Sequence, residues 1–161
     1  MEAVETRKTV EEGKFLTFNL DKEVYGVEIL KVKEIIGLMD ITTVPQTPDY
    51  MKGVINLRGK VIPVVDLRLK FSLQEIEYTK ETCVIVVDVR KSLIGIIVDS
   101  VSEVLYIKSD EIEETPDFGH EKDNRSILGL AKAKGRIIML LGIEEVLSSE
   151  DIEMVEQLAE N

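Results

Sequence analysis

Three aspartates close apolar runs in this chain: Val64-Val65-Asp66, Val86-Val87-Asp88 and Val98-Asp99. Converging carboxylates could hold a hard divalent cation or act as general acid and base, so a metal-dependent hydrolase is one reading. The plainer one is that Asp ends strands and opens turns. No metal-ligand spacing accompanies the three. The stretch from Gly53 to Gly59-Lys60 mimics a phosphate loop, but five residues separate the glycines where the motif has four. Val61 stands where Ser or Thr would hold the metal, and the strand–turn–strand pattern offers no helix to present amides to phosphate. His120 is the only histidine and lies in the polar loop Asp117-Phe118-Gly119-His120, as a solvated residue would. The single cysteine, Cys83, sits in the apolar run Cys83-Val84-Ile85-Val86-Val87 and reads as a small buried hydrophobe. The serines form no nucleophile-elbow pattern. Positive support for catalysis is absent from the sequence.

What remains is chemistry of recognition. Arg58 stands at an expected hairpin tip beside Asn56 and Gly59, and its planar fork suits a carboxylate. Glu34, in the same half of the chain, is the nearest candidate by motif. Val32 and Val104 stand next to charged positions, which would leave some apolar surface exposed. Phe118 is an aromatic in a polar loop, and either tucks back onto the body or anchors a partner.

The elements that must carry these residues are written twice. Residues 53–67 read GVINLRGKVIPVVDL and residues 129–143 read GLAKAKGRIIMLLGI, with Gly53 on Gly129, Arg58 on Lys134 and Gly59 on Gly135. Residues 25–36 lie over 94–105 in the same order, placing Gly26 on Gly95, Val32 on Val101 and Glu34 on Glu103. An ordered internal repeat of this kind indicates a duplicated unit. Alternation of Leu16, Phe18 and Leu20 with Thr17 and Asn19 predicts a strand, returned by Val24–Ile29 after Asp21-Lys22-Glu23. Helical spacing of Ile29, Val32, Ile35 and Ile36 predicts a short helix over 30–36. Thr47 before Pro48 reads as the cap of a short helical turn.

Hairpins are expected at Arg58-Gly59, across Asp88–Lys91 and at Lys134-Gly135, with Pro63 marking an edge or bulged strand. Ser148 with Asp151 resembles a capping box, followed by a terminal helix over about 149–159 that buries Ile152, Val155 and Leu158. Nine or ten short strands in two sets fit two small barrels better than one sandwich.

At 161 residues the chain can build one ordinary core or two small ones. Hydrophobic residues at 44% and charged residues at 32% fit a soluble globular protein. The apolar runs fall short of the ~20 residues a spanning helix needs, so no direct membrane insertion is expected. The charged N-terminus MEAVETRKTVEEGK lacks a signal core, and one cysteine fits a reducing compartment, so a cytoplasmic location is expected. A net charge of −11 and only 5% aromatic residues weigh against an OB-type barrel that binds single-stranded nucleic acid, the alternative such a fold raises.

The segments LKVKEIIG (30–37), PDYMKGVINLRGKVIPVVDLRLKF (48–71), IGIIVDSVSEVL (94–105) and GRIIMLLGIEEVL (135–147) resemble the CheW family of bacterial chemotaxis coupling proteins. The likeness covers about residues 15–155, and the GVINLRGxVIPVVDLR stretch is highly specific. It implies a mainly β fold: two five-stranded SH3/OB-like barrels with exchanged strands around a shared apolar core, with short helices and a C-terminal helix. The expected organisation is a flexible segment 1–14, a CheW-like domain 15–147 with approximate halves 15–71 and 82–147, and a helix and tail over 148–161.

The resemblance further implies a non-catalytic adaptor without cofactors. It would bridge the C-terminal regulatory domain of the CheA histidine kinase to the cytoplasmic tips of methyl-accepting chemoreceptors, in arrays under the membrane. By position, the receptor groove would be lined by Val32, Glu34, Arg58 and Val104, with Glu34 and Arg58 paired. The kinase-facing surface would involve Gly53 and Val61, and the loop carrying Phe118 would make a second kinase-type contact.

Overall fold

A computed structural model describes residues 10–114 and 126–160. Phe118 and His120 therefore lie outside the described residues. Eleven strands run in the order β1 (Gly13–Leu20), β2 (Glu23–Glu28), β3 (Val32–Gly37), β4 (Met51–Leu57), β5 (Lys60–Asp66), β6 (Cys83–Val89), β7 (Ser92–Val98), β8 (Ser100–Ile107), β9 (Ile112–Glu114), β10 (Ile127–Ala133) and β11 (Arg136–Leu141). Helices are few: α1 (Leu67–Lys70), α2 (Ile143–Val146) and α3 (Ser149–Glu160).

The strands form two sheets, ordered β8-β1-β2-β11-β10-β9 and β3-β6-β7-β5-β4. Each sheet takes the first two strands of one half of the duplication, β1 and β2 or β6 and β7, and its remaining strands from the other half. The exchange is symmetric: the chain leaves one sheet after β2 and the other after β7. Its equivalent joints match as well, since β11 runs parallel to β2 and β5 parallel to β7, while all other pairings are antiparallel. Six strands in the first sheet still make a five-stranded unit, because β8 and β9 are one bent strand broken by the 3-10 turn Ser109–Glu111. In the second sheet the stretch after β3 does the same work through one bridge: Thr42 N donates to Val54 O (2.8 Å) and Val54 N to Thr42 O (2.9 Å). Each sheet thus curls until its two ends are linked.

Burial on both faces explains the continuous apolar runs. Val84 and Val86 of β6 point into a core with Ile55, Leu57, Ile62, Val64 and Ile97 inside the second sheet. Their neighbours Ile85, Val87 and Val89 point the other way, into a larger cluster shared with Leu16, Phe18 and Val27 of the first sheet. Phe15, Val24, Ile107, Ala131, Ile138 and Leu140 fill the first sheet's own interior. The molecule therefore has two barrel cores and a third core between them, onto which α2 and α3 close with Ile143, Val146, Ile152 and Val155.

Three sequence expectations are corrected. Residues 32–37 are strand β3, not helix: half-buried Val32, Glu34 and Ile36 alternate with exposed Lys33, Ile35 and Gly37. Pairing with β6 outweighs a helical spacing made of β-branched residues. Pro63 lies in an interior strand rather than an edge. Its missing amide is tolerated because opposite it Val54 bonds outward to Thr42, and the parallel ladder with β7 starts only at Val64. The bulge is next door, on β4 between Met51 and Gly53. Thr47 caps no helix; its hydroxyl donates to Val44 O (2.9 Å) within a turn. By contrast, Ser148 and Asp151 do form the reciprocal cap: Asp151 N donates to Ser148 Oγ and Ser148 N to Asp151 Oδ2, both at 3.0 Å.

Asp151 also clasps α3 to the rest of the fold. Its buried carboxylate accepts from the Tyr50 hydroxyl (2.6 Å) and the Lys70 ammonium (2.9 Å), and that ammonium stands 4.3 Å from the Tyr50 ring centre. Burial alone would push this carboxyl up; the hydrogen bonds from Tyr50, Lys70 and the Ser148 amide outweigh it and hold it below the usual range. A depressed folded-state value means stability that is complete at neutral pH and lost as pH falls below about 4. Asp151→Asn should cost about 1–2 kcal/mol at pH 7 and flatten the acid limb of the stability profile. Urea melts at pH 7 and about pH 3.5 would check this; an unchanged acid limb would remove Asp151 as its source.

Candidate functional site

The Arg58 turn is built by backbone conformation. Arg58 (φ 53°) and Gly59 (φ 89°) both take positive φ, as a two-residue hairpin loop requires. Asn56 Oδ1 accepts from Gly59 N (2.8 Å) and braces the tip. From there the guanidinium reaches β3 with both arms of its fork: Nη2 donates to Glu34 Oε1 (2.6 Å) and Nη1 to Glu34 Oε2 (3.1 Å). Glu34 follows a register shift between Val32 and Glu34; such a bulge re-aims a side chain. Hydrogen bonding to Arg58 holds the Glu34 carboxyl below its usual range. The Arg58 side chain is 70% exposed. Exposed pairs add little to stability, so this pair presents a fixed, planar, charged feature to whatever approaches.

The other expected site residues are distributed around that pair. Val32 is half-buried and packs on the central core. Val104 is on β8 of the other sheet, 49% exposed, and adjoins Glu103. Val61 is half-buried at the start of β5, opposite Asn56. Gly53 is buried, with φ 144°, and a Cβ there would run into the Thr42 carbonyl oxygen. It shapes the closure of the second barrel. Exposed apolar side chains beside these residues include Ile35 at 45%.

The three aspartates serve separate local roles. Asp66 accepts from Leu69 N (3.3 Å) as the cap of α1 and from the Tyr78 hydroxyl (2.8 Å). Asp88 accepts from Lys91 N (2.9 Å) in its hairpin. Asp99 accepts from Asp21 N (2.8 Å) and from Arg68 Nε (3.2 Å). Among the described residues no group of three or more His, Cys, Asp or Glu is placed to hold a metal. Burial pushes the Cys83 thiol up, consistent with an unreactive hydrophobe. Arg68 was not singled out by sequence. It is buried and joins Asp21 (2.9 Å), Asp99 and the Gln74 carbonyl (3.0 Å). Nothing local distinguishes it from a solvated helix arginine; only the fold brings its partners together.

The family model described as the CheW-like domain matches residues 14–151. The chemotaxis protein CheW of Klebsiella aerogenes is 41% identical over 147 residues, covering 91% of this chain and 89% of that protein. That of Helicobacter pylori is 35% identical over 136 residues, covering 84% and 82% respectively. The crystal structure of the scaffolding protein TtCheW from Thermoanaerobacter tengcongensis superposes with a TM-score of 0.80 at 33% identity, covering 87% of this chain and 95% of that one.

Proposed function

The chain belongs to the CheW-like domain family, and from that premise we propose that it is a non-catalytic chemotaxis adaptor. It couples the C-terminal regulatory domain of a CheA histidine kinase to the cytoplasmic tips of methyl-accepting chemoreceptors. It works in the cytoplasm, at arrays on the inner face of the membrane. Relatives named as chemotaxis and scaffolding proteins support the class. The exposed Glu34–Arg58 pair on a rigid hairpin tip is the observation that carries the site.

A helical receptor tip laid against Val32, Glu34, Arg58 and Val104 is a helix-in-groove contact. The kinase contacts the hairpin of β4 and β5 around Val61, whose shape Gly53 maintains, and reaches the Phe118 loop through a second contact. Two modest interfaces on one small body suit a lattice that gains strength by multivalency.

Arg58→Glu tests the receptor face. Reversing a charge opposite Glu34 should weaken binding of a receptor cytoplasmic fragment about tenfold or more, with the melting temperature within about 2 °C of the parent. Parent-like affinity would show that Arg58 is not at that interface.

A further inference from the structure

The duplication supplies a second ion pair that matches the first part for part. Lys134 stands at the β10–β11 tip with φ 55°, followed by Gly135 at φ 72°, as Arg58 and Gly59 do in the other barrel. Its ammonium donates to Glu103 Oε1 (3.1 Å) on β8, the counterpart of Glu34 on β3. Glu103 also lies at a register shift, where β1 passes from Leu16 opposite Val104 to Phe18 opposite Val101. Strands β3 and β8 both begin against the shared core, through Val32 and Val101. They then carry equivalent pairs outward on the two barrels, each followed by an exposed β-branched residue, Ile35 or Val104.

A second observation sets the Glu103 pair apart from an incidental surface contact. Thr17 is fully buried, and its hydroxyl serves the Glu103 backbone alone among the contacts described for it. It donates to Glu103 O (2.6 Å) and accepts from Glu103 N (3.0 Å). A buried hydroxyl satisfied in both roles fixes the bulge and therefore the direction of the Glu103 side chain. Val86 faces Glu34 at the equivalent place and offers no such lock. The pair itself is exposed, at 41% for Glu103 and 59% for Lys134, so stability does not account for the care taken to hold it.

We propose that the Glu103–Lys134 pair, with Val104 beside it, is a second recognition wall for the receptor tip, the counterpart on the other barrel of the one formed by Glu34 and Arg58. This rests on the receptor reading given above, which already places Val104 at that contact. The occupant is a helical tip that presents apolar side chains to Val32 and Val104 and polar side chains to both ion pairs. Thr17 is a positioning residue for the second wall. Lys134 contributes a point charge where Arg58 contributes a fork, so the second wall is the less demanding in geometry.

The test measures binding of a cytoplasmic receptor fragment and of the kinase regulatory domain to the full chain and its variants. Lys134→Glu should weaken receptor-fragment binding about fivefold or more, leave kinase-domain affinity unchanged and keep the melting temperature within about 2 °C. The exchange Glu103→Lys with Lys134→Glu restores an ion pair of reversed polarity. It should keep the parent's melting temperature and fail to recover receptor binding. Full recovery by the exchange would reduce the pair to a strut and overturn the proposal. Parent-like binding by Lys134→Glu while Arg58→Glu is impaired would also overturn it and leave the first wall standing. Parent-like binding by both would overturn the receptor reading itself.

Discussion

Gly53→Val is expected to cost about 3 kcal/mol or more of stability and to abolish kinase-domain binding with it. Two costs combine. The φ of 144° is one that L side chains rarely adopt, and any Cβ meets the Thr42 carbonyl, whose carbon lies 2.8 Å away and whose oxygen is nearer still. That carbonyl is not free to move, because it accepts from Val54 N and forms the bridge that links the ends of the second barrel. Urea melts give the stability change directly. Gly37→Ala is the control, since a Cβ there meets nothing within 4 Å and its backbone is ordinary. If Gly53→Val melted with the parent but lost kinase binding, Gly53 would be a contact after all.

Arg68→Met is expected to cost about 2–3 kcal/mol. The buried guanidinium ties α1 to the β1–β2 turn through Asp21 and to the β7–β8 joint through Asp99. It also satisfies the Gln74 carbonyl. Removing one member of such a network leaves its partners uncompensated. Asp21 is half exposed and water softens its loss, which places the figure at the lower end of the range for buried pairs. Arg68→Lys should rescue little, because one ammonium cannot span three acceptors set around a planar fork. A loss below about 0.5 kcal/mol would show the site to be solvated.

Much of this fold was legible because local chemistry and tertiary context agreed. The Arg58-Gly59 and Lys134-Gly135 tips carry residues compatible with positive φ, and the hairpins follow. Ser148 and Asp151 announce the start of α3 by their spacing. The Arg58–Glu34 pair was expected from the resemblance, and its counterpart was latent in the alignment of Lys134 with Arg58 and Glu103 with Glu34.

Failures came where a distant strand decided the outcome. Residues 32–37 satisfy both a helical and an alternating pattern, and only β6 selects the strand. Pro63 looks like an edge signal because the delayed start of the β7 ladder is invisible locally. The partners of Asp66 and Asp99, Tyr78 and Arg68, are likewise set by the fold and by no local spacing.

The central claim is that this protein joins two partners through separate faces. Calorimetric titration with the regulatory domain of a CheA kinase from the same source, done with the protein free and again with it saturated by a receptor cytoplasmic fragment, tests it most directly. Saturable one-to-one binding in both titrations is the expected result. Absence of heat at two temperatures, or kinase binding abolished by the receptor fragment, would contradict it.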